Sequence, residues 1–300
     1  MKYLKDRNFI FIAAVILGLG LPQAGAWSKH IMLPALAAVM AMATTAVPND
    51  FIRFGRRFLQ PFAAGIILSY FVLGGMLLFL THLFILNDNI RIGFVLVAAV
   101  PPAVAVIPFT AILKGDVSYT LAATVSAYLA ALLVMPLMFF LFIDAEFSQT
   151  GKLIEVLILL IVLPLVASRI IIFLNWREKI DRFRGPVTDW GFFIVLYTLV
   201  ALNRDLIFAR PDLLLPVVLI IFGAIFFLGF VVERAGNLLN RDRARTTSWV
   251  LLSTLKNQGI AGGLAVTLFS EEAALPSAVY TAFMIFYFMW LDFRRRQQKL

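Results

Sequence analysis

Two apolar stretches decide the fold of this chain: VPPAVAVIPFTAILK at residues 100–114 and LSTLKNQGIAGGL at residues 252–264. Prolines interrupt the first stretch and glycines interrupt the second, so neither is expected to form one continuous helix. A helix that breaks at membrane depth leaves backbone amides and carbonyls unpaired, and lipid cannot satisfy them. Such breaks persist only where they face protein or a water-filled site. The pair therefore predicts a binding site where two discontinuous transmembrane helices cross, as in a membrane transporter.

The composition of the whole chain places both stretches in a membrane. Of its 300 residues, 62% are hydrophobic and 14% are charged, and the mean hydropathy is +0.93. A soluble core of this length could not bury so much apolar surface. Apolar runs that can each form a span cover residues 8–22, 31–47, 62–83, 92–113, 117–142, 153–174, 190–202, 213–232, 248–269 and 273–291. We therefore predict an all-α polytopic membrane protein with ten transmembrane helices in a single integral membrane domain, residues 1–300.

Basic residues alternate with the predicted spans and set the predicted orientation. With the N-terminus placed in the cytoplasm, twenty of the 26 Lys and Arg residues fall on the cytoplasmic side, five fall on the opposite side, and Lys256 alone lies within a span. This bias follows the positive-inside rule and predicts two cytoplasmic termini in the inner or plasma membrane. The net charge of +9 does not indicate a nucleic-acid partner, because the basic residues are not gathered on one soluble face.

The start of the chain also fits a second interpretation. Lys2, Lys5 and Arg7 precede an apolar run, and the small-residue sequence AGA follows it at residues 24–26, as in a cleavable signal peptide. Cleavage would leave nine spans and an N-terminus on the outer side. Sequencing the N-terminus of the purified protein distinguishes the two interpretations.

The ten predicted spans divide into two halves of five, approximately residues 1–144 and 145–300. An odd number of spans in each half forces the halves into opposite orientations, which is the topology of an inverted repeat. The fourth span of each half carries the break, as expected for two discontinuous helices that direct their half-helix ends at one shared site. Another interpretation stays open for the second stretch, because Gly259, Gly262 and Gly263 can also form a small-residue packing face.

Two motifs connect the chain with a known family. The sequence PPAVAVIPFTAILKGDVSYTLAATVSAYLAALLVMP at residues 101–136, with its Lys-Gly-Asp turn at Lys114, resembles the fourth and fifth spans of the bile acid:sodium symporter family. The sequence KNQGIAGGLA at residues 256–265 is similar to the family's broken ninth span. The resemblance implies a sodium/proton-antiporter-like fold, in which a four-span panel domain moves against a six-span core domain that holds the crossing. It also implies that the substrates are organic anions.

The same resemblance implies where two sodium ions would bind, and this sequence keeps few of the ligands. In the family, side-chain oxygens of the third, fourth, fifth and ninth spans hold the ions beside the crossing. The corresponding positions here are Ser69 in the third span, Val106 and Ile107 in the fourth, Thr120 and Thr124 in the fifth, and Leu252 and Lys256 in the ninth. Hard cations need several oxygen ligands, and hydrocarbon side chains offer none. We therefore predict no metal site and no other cofactor.

Lys256 is the most informative side chain, because an ammonium in the middle of a span is costly unless it is paired, reaches the interface or faces water. One hypothesis is that its fixed charge replaces a sodium ion and contacts carbonyls at half-helix C-termini and the hydroxyls of Thr120 and Thr124. A second hypothesis makes Lys256 a proton carrier that is coupled to the substrate. A third interpretation is structural: the ammonium caps backbone carbonyls in a protein that does not transport, or its stem extends to the interface.

Other candidate binding residues lie near the two breaks. Asn257 and Gln258 adjoin the second break and can bond either a substrate or the freed backbone groups. Pro108 lies in the first broken helix. Thr120 and Thr124 stand four residues apart on one helix face and can instead bond their own preceding carbonyls.

Enzymatic chemistry finds no support in the sequence. The chain contains no cysteine, no glycine-rich phosphate loop, and only two histidines, His30 and His82. Neither a paired-histidine metal site nor a Ser/His/Asp arrangement can be assigned. We predict no catalytic residue.

These observations predict a secondary active transporter of a small organic solute, an organic anion, that works by alternating access without the family's usual sodium sites. Two alternatives stay open. The first is a proton- or cation-coupled antiporter or channel of the same fold, which would move charge without an organic solute. The second is a non-transporting membrane sensor, which would bind a partner without solute flux. No partner is predicted besides the solute and the lipid bilayer.

Overall fold

The chain forms helices throughout the residues that the structure describes. A computed structural model describes residues 7–45, 59–143 and 150–297. Its α-helices are α1 Arg7–Gly20, α2 Gly25–Thr44, α3 Leu59–Ile66, α4 Gly75–Phe84, α5 Asp88–Ala99, α6 Val106–Ile112, α7 Val117–Phe142, α8 Thr150–Leu157, α9 Leu163–Phe173, α10 Arg177–Leu202, α11 Arg204–Ala209, α12 Pro211–Phe222, α13 Leu228–Leu238, α14 Arg243–Leu252, α15 Gln258–Leu268 and α16 Leu275–Gln297. Within the described ranges no β-strand forms, which confirms the all-α fold class.

Within residues 7–45, 59–143 and 150–297, seven helices are long and apolar enough to cross a membrane. They are Pro22–Thr44, Leu59–Phe84, Val117–Phe142, Gly151–Phe173, Arg177–Leu202, Pro211–Leu238 and Glu272–Gln297. Three of them stay continuous because the π-helical segments Ile67–Gly74, Ile158–Val162 and Gly223–Phe227 join α3 to α4, α8 to α9 and α12 to α13. Each of the seven corresponds to one predicted span.

The other three predicted spans are shorter or interrupted. Span 8–22 corresponds to α1, whose 14 residues extend over roughly 21 Å. Span 92–113 is divided into α5 and α6, and span 248–269 is divided into α14 and α15. Both predicted spans are therefore interrupted. The first break contains Pro101 and Pro102, as predicted, whereas the second lies at residues 253–257, and Gly259, Gly262 and Gly263, which were expected to interrupt the helix, lie within α15. The arrangement of ten spans as two inverted repeats stays a prediction.

Two helices begin earlier than predicted, because hydropathy locates the apolar part of a helix and not its polar end. α10 begins at Arg177, well before the predicted span 190–202, and its first turns are charged. α14 begins at Arg243 rather than at residue 248. The Asp242 side chain caps α14 by accepting the Arg245 N–H at 2.7 Å.

Some predictions fall outside the described ranges. They concern the basic residues Lys2, Lys5, Arg53, Arg56, Arg57 and Lys299, and the boundary between the two halves at residues 144 and 145. The orientation of both termini therefore stays a prediction.

The helices pack into two groups that meet at the broken helices. The first group, called the panel, consists of α1, α2, α8, α9 and α10. Within it, the Tyr197 hydroxyl donates to the Leu21 carbonyl at 2.6 Å. The second group, called the core, consists of α3–α7 and α12–α16. In the core, the Tyr70 hydroxyl donates to the Ala127 carbonyl at 2.7 Å. Both broken helices belong to the core.

Candidate functional site

The two breaks meet as a short antiparallel pair. The Ala103 N–H donates to the Leu255 carbonyl at 3.1 Å, and the Asn257 N–H donates to the Pro101 carbonyl at 2.9 Å. These bonds form an isolated bridge between residues 102 and 256. They satisfy backbone groups that the interrupted helices would otherwise leave unpaired in an apolar interior. The structure therefore shows the predicted crossing.

Lys256 satisfies further backbone groups with its side chain. Proline has no N–H, so Pro102 leaves the carbonyl of Ala98, four residues before it, without its helical donor. Lys256 Nζ donates to the Ala98 carbonyl at 2.9 Å and to the Val100 carbonyl at 2.7 Å. The side chain thus connects the C-terminal end of α5 to the link between α14 and α15.

The ammonium is enclosed by protein. Lys256 is 0% exposed, so its stem does not extend to the membrane interface. Its Nζ lies 4.4 Å from the centroid of the Tyr70 ring, a distance at which a ring face attracts a cation. Its polar partners within the described part of the chain are the two carbonyls, and none is a carboxylate. Two carbonyls and one ring face therefore surround its three N–H groups.

The structure does not bring the hydroxyls of Thr120 and Thr124 to the ammonium. Thr120 Oγ1 lies 3.2 Å from Thr110 Oγ1. Thr124 Oγ1 is buried and has no hydrogen-bond partner among the described residues. The predicted contact is therefore corrected: Lys256 Nζ donates to carbonyls alone, because its side chain extends toward the end of α5.

The remaining predicted polar residues differ in how they are bonded. Asn257 caps α15: its Oδ1 accepts a backbone N–H of the first turn at 3.2 Å, and its Nδ2 donates to the Tyr128 hydroxyl at 2.8 Å. Gln258 is 3% exposed, and neither its Oε1 nor its Nε2 has a partner among the described residues. Ser69 Oγ in the segment between α3 and α4 is likewise buried and unbonded. Asn257 is thus engaged in holding the crossing, whereas Gln258 and Ser69 keep hydrogen-bonding capacity.

Three cavities converge on the first break, and Val104 lines all of them. Their volumes are about 40, 150 and 350 Å³. The predicted residues that line them are Lys256, Asn257 and Gln258 in the smallest, Thr124 in the intermediate one, and Pro108 in the largest. Ser69 and Thr120 line none of the three. Most predicted site residues therefore border space next to the crossing.

Two guanidinium groups line the largest cavity, which lies between the panel and the core. Arg7 of α1, Arg184 of α10 and Thr188 belong to its lining, and among the described residues no carboxylate does. Arg7 Nε lies 2.6 Å from Asp189 Oδ1, and Arg184 Nη1 lies 3.0 Å from Asp181 Oδ1. Both arginines are partly exposed. The cavity therefore reaches the end of the bundle where α1 begins.

An ion pair connects panel and core at the opposite end of the bundle. α2 begins where α1 has ended, so Lys29, near the start of α2, lies away from the large cavity. Lys29 Nζ lies 3.2 Å from Glu271 Oε1, in the turn after α15. Nearby, Glu272 accepts hydrogen bonds from Asn87 and Asn89. The two groups of helices are thus joined at one end and separated by a cavity at the other.

Gly259, Gly262 and Gly263 lie within α15 and form a packing face toward the panel. A Cβ on Gly263 would lie 2.8 Å from Leu33 Cδ2, and a Cβ on Gly262 would lie 2.5 Å from Leu199 Cδ2. Leu33 belongs to α2 and Leu199 to α10, which are panel helices. The alternative interpretation of these glycines as a packing face is therefore confirmed, and that face lies where the core meets the panel.

Sequence reasoning missed three side chains of this site: Tyr70, Arg7 and Arg184. Arg184, Thr188 and Phe192 follow an i, i+4, i+8 spacing, which places them on one face of α10 toward the cavity. That spacing becomes informative once the helix is known to begin before residue 190. No comparable signal marks Tyr70, because its contact with Lys256 depends on how distant segments pack.

Comparison with known proteins gives two findings. A model of the sodium bile acid symporter family matches residues 31–210, a range that includes the first broken helix. A relative from Bacillus subtilis (strain 168), the uncharacterized sodium-dependent transporter YocS, is 24% identical over 275 residues, which cover 90% of this chain and 84% of the relative.

Proposed function

The chain belongs to the sodium bile acid symporter family, and on this premise we propose that it is a secondary active transporter of a small organic solute, an organic anion, working by alternating access. We also propose that ten spans form two inverted five-helix repeats, with both termini in the cytoplasm. The family and the relative's name point to a multi-pass membrane transporter rather than to an enzyme.

The observation that carries the proposal is the cavity of about 350 Å³ between the panel and the core, which borders the first broken helix. A solute in this cavity would contact both groups of helices at once. A movement of one group against the other can then transfer access to the solute from one end of the bundle to the other.

The lining of this cavity supports an anionic solute with an apolar part. Arg7 and Arg184 present guanidinium groups, which bind carboxylates through parallel N–H donors. Each arginine already has an aspartate neighbour, so we expect the solute to use the remaining donors. Phe11, Phe192 and Val104 supply apolar walls.

The contacts between the core and the panel support alternating access. The Lys29–Glu271 pair links the two groups at the closed end and is partly exposed, so its separation costs little. Gly263 meets the flexible end of the Leu33 side chain, which can shift as the groups move. We therefore propose that the structure corresponds to the state open at the Arg7 end.

Two residues next to the crossing are proposed to contact the solute directly. Gln258 and Thr124 line cavities and carry buried polar atoms that have no partner in the part of the chain that the structure describes. Such atoms cost roughly 1–3 kcal/mol each when unsatisfied, so a solute that bonds them gains affinity. Pro108 shapes the largest cavity. The binding roles of Ser69 and Thr120 stay predictions.

The printed name of the relative states sodium dependence, but the residues of this chain do not fit the family's sodium sites. Val106 and Leu252 are buried hydrocarbon side chains at two of those ligand positions. Lys256 occupies a third ligand position, and its ammonium donates hydrogen bonds to the Ala98 and Val100 carbonyls. Among the described residues no three His, Cys, Asp or Glu side chains cluster in a way that could hold a metal ion. We therefore propose transport without these sites.

Uptake into proteoliposomes tests the proposed function. The purified full-length protein is offered a panel of radiolabelled carboxylates, with sodium and pH gradients imposed separately and protein-free liposomes as the control. We expect uptake of at least one carboxylate that persists when choline replaces sodium. Strict sodium dependence would contradict the interpretation of the ligand positions. Charge movement without any organic solute would favour an antiporter or channel, and solute flux absent under all conditions would favour a sensor.

Because the sequence contains no cysteine, thiol chemistry can test alternating access at one chosen place. The double variant Lys29→Cys, Glu271→Cys places two thiols at the closing ion pair. A short bifunctional maleimide should stop uptake while solute binding remains. Each single-cysteine variant, treated with the same reagent, is the control. Continued uptake by the cross-linked protein would show that this end does not open.

A further inference from the structure

We propose that the Lys256 ammonium is the resident cation of the crossing: it takes the place of a coupling metal ion and remains there throughout the transport cycle. The inference deepens the proposed function and rests on it for its consequence, which is that no cation needs to enter or leave the crossing when the solute moves.

The acceptors around the ammonium are those that a hard cation would use. The Ala98 and Val100 carbonyls lie at the C-terminal end of α5, where the helix dipole concentrates partial negative charge. Pro102 has removed the N–H that would otherwise bond the Ala98 carbonyl. Lys256 Nζ lies 2.9 and 2.7 Å from the two oxygens. The break therefore creates a demand for positive charge, and the lysine meets it.

A third contact favours the charged form of the amine over the neutral one. The face of the Tyr70 ring, 4.4 Å from Nζ, attracts a cation through its quadrupole. The ring is held in place because the Tyr70 hydroxyl donates to the Ala127 carbonyl at 2.7 Å. The ammonium thus has an electrostatic partner for each of its three N–H groups without a carboxylate.

Two of the family's ligand positions offer no oxygen to a cation here. Val106 and Leu252 are both 0% exposed and bring only hydrocarbon to the crossing. The backbone bonds of Ala103 and Asn257 fix the two links beside Lys256. A metal ion can dissociate in each cycle, whereas an ammonium that is covalently attached to the chain cannot. The crossing is therefore charged and assembled in every state of the protein.

A purely structural lysine predicts a different response to substitution. If Lys256 only caps the Ala98 and Val100 carbonyls as a structural group, glutamine in its place creates a defect that no ion repairs. If it stands for a cation, its removal restores the demand for one, especially when Leu252→Glu adds a carboxylate. Glutamine and glutamate are the residues that the family resemblance implies for these two positions.

Thermal unfolding in detergent tests the inference, with equal concentrations of sodium chloride and choline chloride. We expect the wild type to melt at the same temperature in both salts. Lys256→Gln should melt about 5 °C lower or more in choline, and the double variant Lys256→Gln, Leu252→Glu should recover at least half of that loss in sodium. Lys152→Gln, an exposed lysine in α8, is the control and should match the wild type.

Three results would overturn the inference. The wild type could melt at a higher temperature in sodium than in choline, Lys256→Gln could melt at the same temperature as the wild type, or the double variant could melt at the same temperature in both salts. If Lys256→Gln cannot be purified, the inference is tested by the melting temperatures of the wild type and the double variant in the two salts. The measurement needs no solute. A failure of every carboxylate in the uptake assay would therefore count against the proposed function and leave this result standing.

Discussion

The first and second broken helices contribute opposite things to the crossing. The first supplies mainly acceptors: Pro102 lacks the N–H that would bond the Ala98 carbonyl, and the end of α5 leaves the Val100 and Pro101 carbonyls without helical donors. The second supplies donors through Lys256 Nζ and the Asn257 N–H. Neither break would be satisfied alone in an apolar interior. The two interruptions therefore form one structural unit.

The two helices also differ in what they pack against. α5 is fixed within the core: a Cβ on Gly93 would lie 2.2 Å from the Ala273 carbonyl oxygen. α15 meets the panel, where Gly263 faces the end of the Leu33 side chain. A backbone contact cannot yield without moving a helix, whereas a side chain can change its rotamer. We therefore expect α5 to be the stationary partner and α15 the surface on which the panel moves.

Gly93→Ala should lower stability more than any other substitution considered. Comparing it with Gly263→Ala distinguishes a contact with backbone from a contact with a side chain. Its Cβ would overlap a backbone oxygen, so we expect the free energy of unfolding to fall by about 3 kcal/mol. Gly263→Ala should cost less than about 1 kcal/mol, because Leu33 can shift. Gly75→Ala, where a Cβ meets no atom within 4 Å, is the control. Denaturant titration in micelles measures all three, and equal losses at Gly93 and Gly263 would remove the distinction.

Asn257→Ala tests whether the second break depends on its own cap. The variant loses the N-cap of α15 and the hydrogen bond to the Tyr128 hydroxyl, so we expect a loss of about 1–2 kcal/mol. Asn257→Ser keeps a capping oxygen and should lose roughly half as much. The same denaturant titration is the measurement. A Ser variant as unstable as the Ala variant would show that the cap contributes little.

Arg184→Gln tests whether the solute binds in the large cavity that borders the first broken helix. Loss of one charged donor should raise KM for the transported carboxylate about tenfold, equivalent to about 1.4 kcal/mol. The maximal rate and the melting temperature should not change. Arg182→Gln, outside the cavity lining, is the matched control. Concentration-dependent uptake measures the effect, and an unchanged KM would place the anion elsewhere.

Lys29→Gln should change stability and uptake the least of the four substitutions. It tests the ion pair with Glu271, which lies after α15 at the closed end of the bundle. Partly exposed ion pairs contribute about 0.2–1 kcal/mol, so we expect unfolding to change little and uptake to change about twofold. Arg91→Gln is the control, because the Arg91–Asp88 pair lies within α5. If both variants altered uptake equally, the Lys29–Glu271 pair would have no special part in closing this end.

Local chemistry explains why the breaks were predictable. Pro101 and Pro102 act on their own backbone, so the sequence shows where the first helix must stop. The second break precedes Gly259, Gly262 and Gly263, which lie inside α15, so these glycines indicated the segment but not the position of the break. A lysine in an apolar run is equally visible, and Lys256 does lie at the crossing. Its contact with half-helix carbonyls followed from the same reasoning.

The partners of these residues were harder to predict because they come from distant segments. Tyr70 reaches Lys256 only through the packing of α3 and α4 against the crossing. Thr120 was expected beside the ammonium, but the α6–α7 contact turns it to Thr110. Arg184 escaped notice because a polar helix end has low hydropathy. Side-chain direction depends on tertiary packing, which residue type alone does not encode.

The attachment of Lys256 to its own chain has an energetic consequence for the cell. If the solute moves without an accompanying ion, as proposed above, the only charge that crosses the bilayer in a cycle is that of the solute. Voltage then becomes the driving force: each 100 mV, negative inside, favours the exit of a monovalent anion by about 2.3 kcal/mol, roughly a 50-fold concentration ratio. A carrier built around this lysine would therefore empty the cytoplasm of its anion rather than fill it.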